Sequence, residues 1–155
     1  MIDKSGRGAA RYIELKFNSD PANLAATRRA IDAFCGNCGF DEHTGGQIMI
    51  CVNEALTNVM RHAYQGAVDR PIVVRVEMVE DSVRVSIRDW GSGVNPLEVP
   101  QPKRDPLRPG GLGLLCLQQL MDEVAFRRQE DGMLLVMVRR KSAGSREAST
   151  GRAAG

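Results

Sequence analysis

A glutamate and an asparagine one helical turn apart are the first residues in this chain whose spacing suggests chemistry. Glu54 and Asn58 stand in the string NEALTN, within a segment whose apolar residues recur at helical spacing. At about 100° per residue, the two side chains lie close together and away from the apolar stripe. A carboxylate can accept a proton and an amide oxygen can bind a hard cation, although amphipathic surface helices also carry such pairs without function.

Two glycine-rich strings are the other candidates. Asp89-Trp90-Gly91-Ser92-Gly93 ends an apolar strand, where a carboxylate has little structural reason to point inward. Gly110-Gly111-Leu112-Gly113 opens a predicted helix, and the free N–H groups and positive dipole of a helix N-terminus suit phosphate. Taken alone, each string is also typical of an ordinary turn.

The elements that must position these residues follow the order β-α-α-β-β-loop-α-β-β. Helical periodicity predicts the second helix from about Gln47 to His62, and five prolines exclude regular structure between Val94 and Pro109. Short turns at Glu80-Asp81 and Asp131-Gly132 make the strands that they join antiparallel. We therefore predict an α+β two-layer sandwich, with a mixed, mostly antiparallel sheet and the helices on one face.

Composition narrows the class of protein. The chain has 155 residues, 43% apolar and 26% charged, which predicts one globular domain at 11–140 between a flexible arm at 1–10 and a disordered tail at 141–155. A net charge of +2 and an aromatic content of 5% argue against direct nucleic-acid binding. No apolar run approaches the roughly 20 residues of a membrane span, and the charged N-terminus does not resemble a signal peptide.

These two features, the lack of a membrane-length apolar run and of a signal peptide, predict a cytoplasmic location, and in that reducing compartment the four cysteines would remain thiols. Cys35 and Cys38 form a lone CxxC, whereas a zinc site would need a second ligand pair at suitable spacing. Structural thiols are the favoured interpretation, and a redox or metal role is the alternative.

Taken together, the three strings resemble a known protein superfamily, although none of them is specific enough alone. The segments CVNEALTNVMRHAY, DWGSGV-NP and PGGLGLLCLQQLMDEV resemble the three boxes of the Bergerat (GHKL) ATP-binding superfamily, in the same order and structural context. That superfamily includes type II topoisomerases, histidine kinases and mismatch-repair ATPases. The closer similarity, over about residues 11 to 140, is to the anti-sigma-factor serine kinases of bacterial partner-switching systems.

The resemblance implies a role for each residue. Glu54 would be the catalytic base, Asn58 would bind Mg²⁺, and Asp89 would accept a hydrogen bond from the adenine amino group of ATP. Gly91 and Gly93 would let the backbone pass close to the base. Gly110, Gly111, Leu112 and Gly113 would bind phosphate, under a lid from Val94 to Pro109. Some relatives carry an arginine where this chain has Pro109, so the γ-phosphate contact is assigned to the preceding Arg108.

The same resemblance implies partners. The chain would phosphorylate a serine of a STAS-domain anti-anti-sigma protein, sequester a sigma factor or a similar regulated protein, and form a homodimer. The larger members of the superfamily carry transducer domains that 155 residues do not accommodate. Two alternatives remain open: a protein-binding module that holds ATP without chemistry, and a slow ATPase without a protein substrate.

Overall fold

A single antiparallel sheet forms one layer of the structure, a computed structural model that describes residues 11–96 and 113–141. Its strand order is β1-β2-β3-β5-β4. The strands are β1 (Tyr12–Asn18), β2 (Pro71–Val79), β3 (Ser82–Asp89), β4 (Glu123–Arg128) and β5 (Met133–Arg140). The predicted sandwich is confirmed, and all four pairings among these strands are antiparallel, where a mixed but mostly antiparallel sheet was expected.

Within the described ranges, three α-helices cover one face of this sheet: α1 (Leu24–Asn37), α2 (Glu42–Asn58) and α3 (Leu115–Leu120). Alternate residues of β2, β3 and β5 point toward them, and Val76, Val85 and Met137 lie side by side across the three strands. All three are fully buried in one cluster that also contains Ile48 and Leu117 from the helices. Burial of this alternating set fixes the register, because a one-residue slip would expose it.

A capping aspartate precedes each of the first two helices, but the one before α1 caps a short 3₁₀ turn and not α1 itself. The Asp20 carboxylate accepts the N–H of Ala22 at the start of this turn, which leads into α1. The Asp41 carboxylate accepts the N–H of Thr44 at 2.6 Å, so α2 begins at Glu42 rather than at the predicted Gln47. The prediction was wrong because tertiary packing buries Thr44 and Gly45 within the first turns and overrides the low helix propensity of glycine.

At its other end, α2 widens into a π-helical turn over Val59–Ala63. The N–H of Tyr64 bonds to the carbonyl of Val59 at 2.9 Å, which is the i→i+5 pattern of such a turn. Tyr64 itself is buried. The extra residue in this turn was not predicted from the apolar periodicity, and it sets where Ala63 and Tyr64 meet the sheet.

All four cysteines are buried free thiols. Burial raises the pKa of both Cys35 and Cys51 to about 12, so neither thiol ionises readily. Residues 11–96 and 113–141 contain no group of three metal-ligating side chains, and no helix in these ranges is long and apolar enough to cross a membrane.

The predicted arm, most of the tail and most of the proline-rich loop lie outside the described residues. Lys141, the first residue assigned to the tail, donates its N–H to the carbonyl of Asp81 at 2.9 Å. Its ammonium group also lies 5.6 Å from the centre of the Phe40 ring. The ordered contacts of the chain therefore continue to this residue.

Candidate functional site

A cavity of about 300 Å³ opens between the C-terminal end of α2 and the neighbouring ends of β3 and β5. Its volume is at the lower end of the range for small-molecule sites. Its walls combine aliphatic and aromatic side chains with a few polar groups. The lining residues are Ala55, Asn58, Val59, His62, Ala63, Ile87, Asp89, Ser92, Gly93, Val94, Pro96, Leu114, Phe126, Met133 and Leu135.

Asp89 is the buried polar group of this cavity, and only 4% of its surface is exposed. It takes the last inward position of β3, directly after Ile87 in the alternating pattern. Its carboxylate accepts the N–H of Gly91 at 2.9 Å and the N–H of Met133. Burial raises the pKa of Asp89, while these N–H groups and the Arg88 guanidinium act in the opposite direction.

Glycine at position 91 is required by contact with the end of α2. A Cβ atom there would lie 2.5 Å from the carbonyl oxygen and 2.8 Å from the Cβ of Ala63. The steric restriction at Gly91 therefore comes from the protein itself, whereas the sequence suggested close approach of a ligand. Gly93 differs, because it has room for a Cβ but adopts a φ of +68° that favours glycine.

Gly132 is a structural requirement that sequence reasoning treated only as a turn. A Cβ on this residue would overlap the carbonyl oxygen of Asp89 and lie 2.6 Å from the Cα of Trp90, and its φ is +91°. The β4–β5 turn thus packs directly on the backbone that follows β3. The Asp131-Gly132 signal predicted the turn, but its contact with Asp89 depends on strand pairing that local sequence does not specify.

Asn58 and Glu54 occupy different places relative to the cavity, although both are half-buried on α2. Asn58 lines the cavity together with Asp89, whereas Glu54, one turn earlier, is not among the lining residues. The Glu54 carboxylate lies on the side of α3, where its charge adds to burial in raising the pKa of the Cys116 thiol. His62 is exposed and also lines the cavity.

The third glycine string is described only at its last residue. Gly113 has a φ of +62° and stands two positions before the first residue of α3. Arg108, Gly110, Gly111 and Leu112 lie outside the described residues, so their predicted phosphate contacts remain predictions.

The apolar walls of the cavity were also missed by motif reasoning. Met133 and Leu135 face it because they pair with Asp89 and Ile87 across the β3–β5 ladder. Alternation alone marks both as inward residues, but it does not place them beside Asp89. A largely apolar cavity with one buried carboxylate suits a heterocyclic ring that carries an N–H donor.

The sequence of the chain is similar to that of a known protein family. Residues 17–139 match a family described as a histidine kinase-like ATPase domain. The chain is 29% identical over 136 residues to the serine-protein kinase RsbW of Listeria innocua serovar 6a, covering 82% of this chain and 85% of that protein. It is 31% identical over 125 residues to RsbW of Bacillus licheniformis, covering 75% and 78%.

Two solved structures share the fold. The RsbU and RsbW domains of a Mycobacterium tuberculosis protein align with a TM-score of 0.64 at 18% identity, over 87% of this chain and 34% of that chain. The histidine kinase domain of a blue-light-activated kinase from Erythrobacter litoralis aligns with a TM-score of 0.52 at 22% identity, over 81% and 62%. The chain thus spans about a third of the first structure.

Packing at Gly91 gives a stability prediction. Gly91→Ala forces a methyl group against Ala63, and overpacking of this kind costs about 1–3 kcal/mol of unfolding free energy. The matched control is Gly46→Ala in α2, where a Cβ meets nothing within 4 Å. Because alanine is the better helix former, the control should gain about 0.5–1 kcal/mol in urea unfolding. Equal stabilities of the two variants would contradict the described contact.

Proposed function

This chain belongs to the histidine kinase-like ATPase family and, within it, to the group of the serine-protein kinase RsbW; on that premise we propose that it transfers the γ-phosphoryl group of ATP to a serine of a partner protein. Membership of this family implies that the chain uses ATP and has kinase activity. The choice of serine, the partners and the individual roles of the site residues are our proposal. The observation that carries it is the buried Asp89 carboxylate, which faces the same cavity as Asn58.

Asp89 is assigned to the adenine base. A buried carboxylate stays ionised only if hydrogen-bond donors surround it, and it has about four acceptor positions. The N–H groups of Gly91 and Met133 account for two of them. The exocyclic amino group of adenine is a suitable third donor, while Ile87, Leu135 and Phe126 offer apolar surface for the ring.

Asn58 is assigned to a magnesium ion bound with the triphosphate. Mg²⁺ prefers oxygen ligands and usually keeps several waters while one or two protein groups and substrate phosphates complete its shell. The donor set fits this pattern, since Asn58 supplies a neutral oxygen and the described residues contain no cluster of three ligating side chains. When bound, the ion neutralises phosphate charge, and the position of Asn58 orients the phosphates at the α2 end of the cavity.

Glu54 is assigned as the general base. It lies one turn from Asn58 but outside the lining of the base cavity, so it is placed to meet an incoming hydroxyl without holding the base. In the proposed step, the serine oxygen forms a bond to the γ-phosphorus and its proton passes to Glu54. The bond from the γ-phosphorus to the bridging oxygen breaks, leaving phosphoserine and ADP.

We assign the serine to a STAS-domain anti-anti-sigma protein and a sigma factor to the sequestered partner, with the kinase acting as a homodimer. These assignments rest on the resemblance of the three sequence boxes to partner-switching kinases.

Two other functions predict different products: a non-catalytic ATP-binding module forms no ADP, and a slow ATPase forms ADP and phosphate without phosphoserine. Incubation with γ-labelled ATP and a STAS-domain protein distinguishes all three, and absence of label on serine would contradict the kinase proposal.

Asp89→Asn tests the base site. An amide presents an N–H donor where adenine also donates, and loss of a charge-assisted hydrogen bond costs roughly 1.5–3 kcal/mol. ATP affinity should therefore fall about 10- to 150-fold in calorimetry. Asp69→Asn, in the exposed loop before β2, is the matched control and should bind ATP as the unaltered chain does. Unchanged affinity in Asp89→Asn would remove Asp89 from the site.

Asn58→Ala tests the metal assignment. ATP affinity of the unaltered chain should rise when Mg²⁺ is added, and this gain should disappear in the variant because the protein ligand is missing. Asn53→Ala lies about 140° away around α2 and serves as the control that keeps the gain. Calorimetric titrations with and without Mg²⁺ provide the comparison. A full magnesium effect in Asn58→Ala would mean that other residues hold the ion.

Glu54→Gln separates chemistry from binding. The substitution keeps the shape of the side chain but removes its basicity, so single-turnover phosphotransfer should fall about 10²- to 10⁴-fold while ATP affinity changes little. Glu42→Gln, in the first turn of the same helix, is the control. A wild-type transfer rate would show that Glu54 is not the base. Joint loss of transfer and ATP binding would instead make it part of the nucleotide site.

A further inference from the structure

The direct backbone hydrogen bonding between β2 and β3 is interrupted at the end of the two strands that lies near the cavity. The register pairs Val73 with Arg88. Continued by two residues on each strand, it sets Pro71 opposite Trp90, the residue that follows Asp89. In a regular ladder, the N–H of Trp90 would donate directly to the carbonyl of Pro71, which as a proline has no N–H to donate in return.

The phenol of Tyr64 is inserted at this position. Its hydroxyl accepts the N–H of Trp90 at 2.8 Å and donates to the carbonyl of Pro71 at 2.5 Å. One side-chain oxygen thus bridges the two strands. The hydroxyl is held deep in the structure, because Tyr64 is 7% exposed and its own N–H bonds to Val59 in the π-helical turn.

The backbone after Asp89 is therefore fixed on two sides. Tyr64 holds the N–H of Trp90 from the side of α2, and Gly132 packs against Asp89 and Trp90 from the β4–β5 turn. The next residue, Gly91, lies against Ala63 and donates its N–H to the Asp89 carboxylate. A shift of Trp90 would move both the carboxylate and one of its donors.

We propose that Tyr64 is a positioning residue for nucleotide recognition: its hydroxyl, inserted between Trp90 and Pro71, sets the orientation of the Asp89 carboxylate toward the base. This inference rests on the proposed adenine site. It differs from a purely structural role, in which the hydroxyl would only hold β2, β3 and α2 together and would leave recognition of the base unaffected.

Tyr64→Phe tests the inference, because it removes one oxygen and leaves the ring. The N–H of Trp90 and the carbonyl of Pro71 then lose their shared partner, so the backbone next to Asp89 is no longer held at this point. We expect ATP affinity to fall about 5- to 15-fold, and the ratio of ATP affinity to GTP affinity to decrease. In phosphotransfer assays, the KM for ATP should rise while kcat at saturating ATP stays within about twofold.

The chain itself supplies a control variant and a fluorescence probe for this experiment. Tyr12→Phe alters the only other tyrosine, which is 51% exposed on β1, and should bind both nucleotides normally. Trp90 is the only tryptophan, so its fluorescence reports binding next to the altered bond. If Tyr64→Phe is too unstable in buffer, all variants are compared in trimethylamine N-oxide, which favours the folded state.

Wild-type ATP affinity and an unaltered ATP-to-GTP preference in folded Tyr64→Phe would overturn the inference, even if the variant unfolds more easily. Asp89→Asn, measured alongside, identifies which claim has failed. If Asp89→Asn weakens ATP binding and Tyr64→Phe does not, Tyr64 is structural only. If neither variant weakens binding, the adenine site itself is wrong.

Discussion

A carboxylate buried at the end of a strand is the constraint on which the rest of this site depends. Asp89 is 4% exposed, and its charge can be kept there only by donors held at fixed positions. Two of these donors are backbone N–H groups, from Gly91 two residues later and from Met133 on the neighbouring strand. A backbone N–H group cannot reorient independently of the strand or turn that carries it. The β3–β5 register and the path of the chain after β3 therefore determine the position of both donors.

That path explains features that otherwise look unrelated. Gly91 has no room for a side chain because the end of α2 lies against it, and Gly132 has none because the β4–β5 turn lies against Asp89 and Trp90. The π-helical turn at Val59–Ala63 brings α2 to this contact, and Asn58, immediately before it, reaches the same cavity. The cavity thus brings together the carboxylate proposed to bind the base and the amide proposed to bind the metal ion, while Glu54 remains on the α3 side of the helix.

Local sequence predicted those parts of the fold that depend on periodicity. Alternation along Ile72–Val76 and Val83–Ile87 gave β2 and β3, and inward placement of Asp89 continues the same pattern. The start of α2 was missed because Gly45 and Gly46 suggest a loop, whereas packing and the Asp41 cap decide otherwise. The strand order, the contact of Gly132 with Asp89 and the bridge through Tyr64 join residues distant in sequence, so no local pattern encodes them.

The central claim, that the Asp89 carboxylate recognises the amino group of adenine, can be tested by changing the ligand instead of the protein. Inosine triphosphate keeps the ribose, the phosphates and the ring shape of ATP but carries a carbonyl oxygen in place of that amino group. Calorimetry of the unaltered chain with both nucleotides in Mg²⁺ should show ATP binding at least about tenfold more tightly, since one charge-assisted hydrogen bond is replaced by two facing acceptors. Equal affinities would contradict the account, because the buried carboxylate would then have no part in recognising the base.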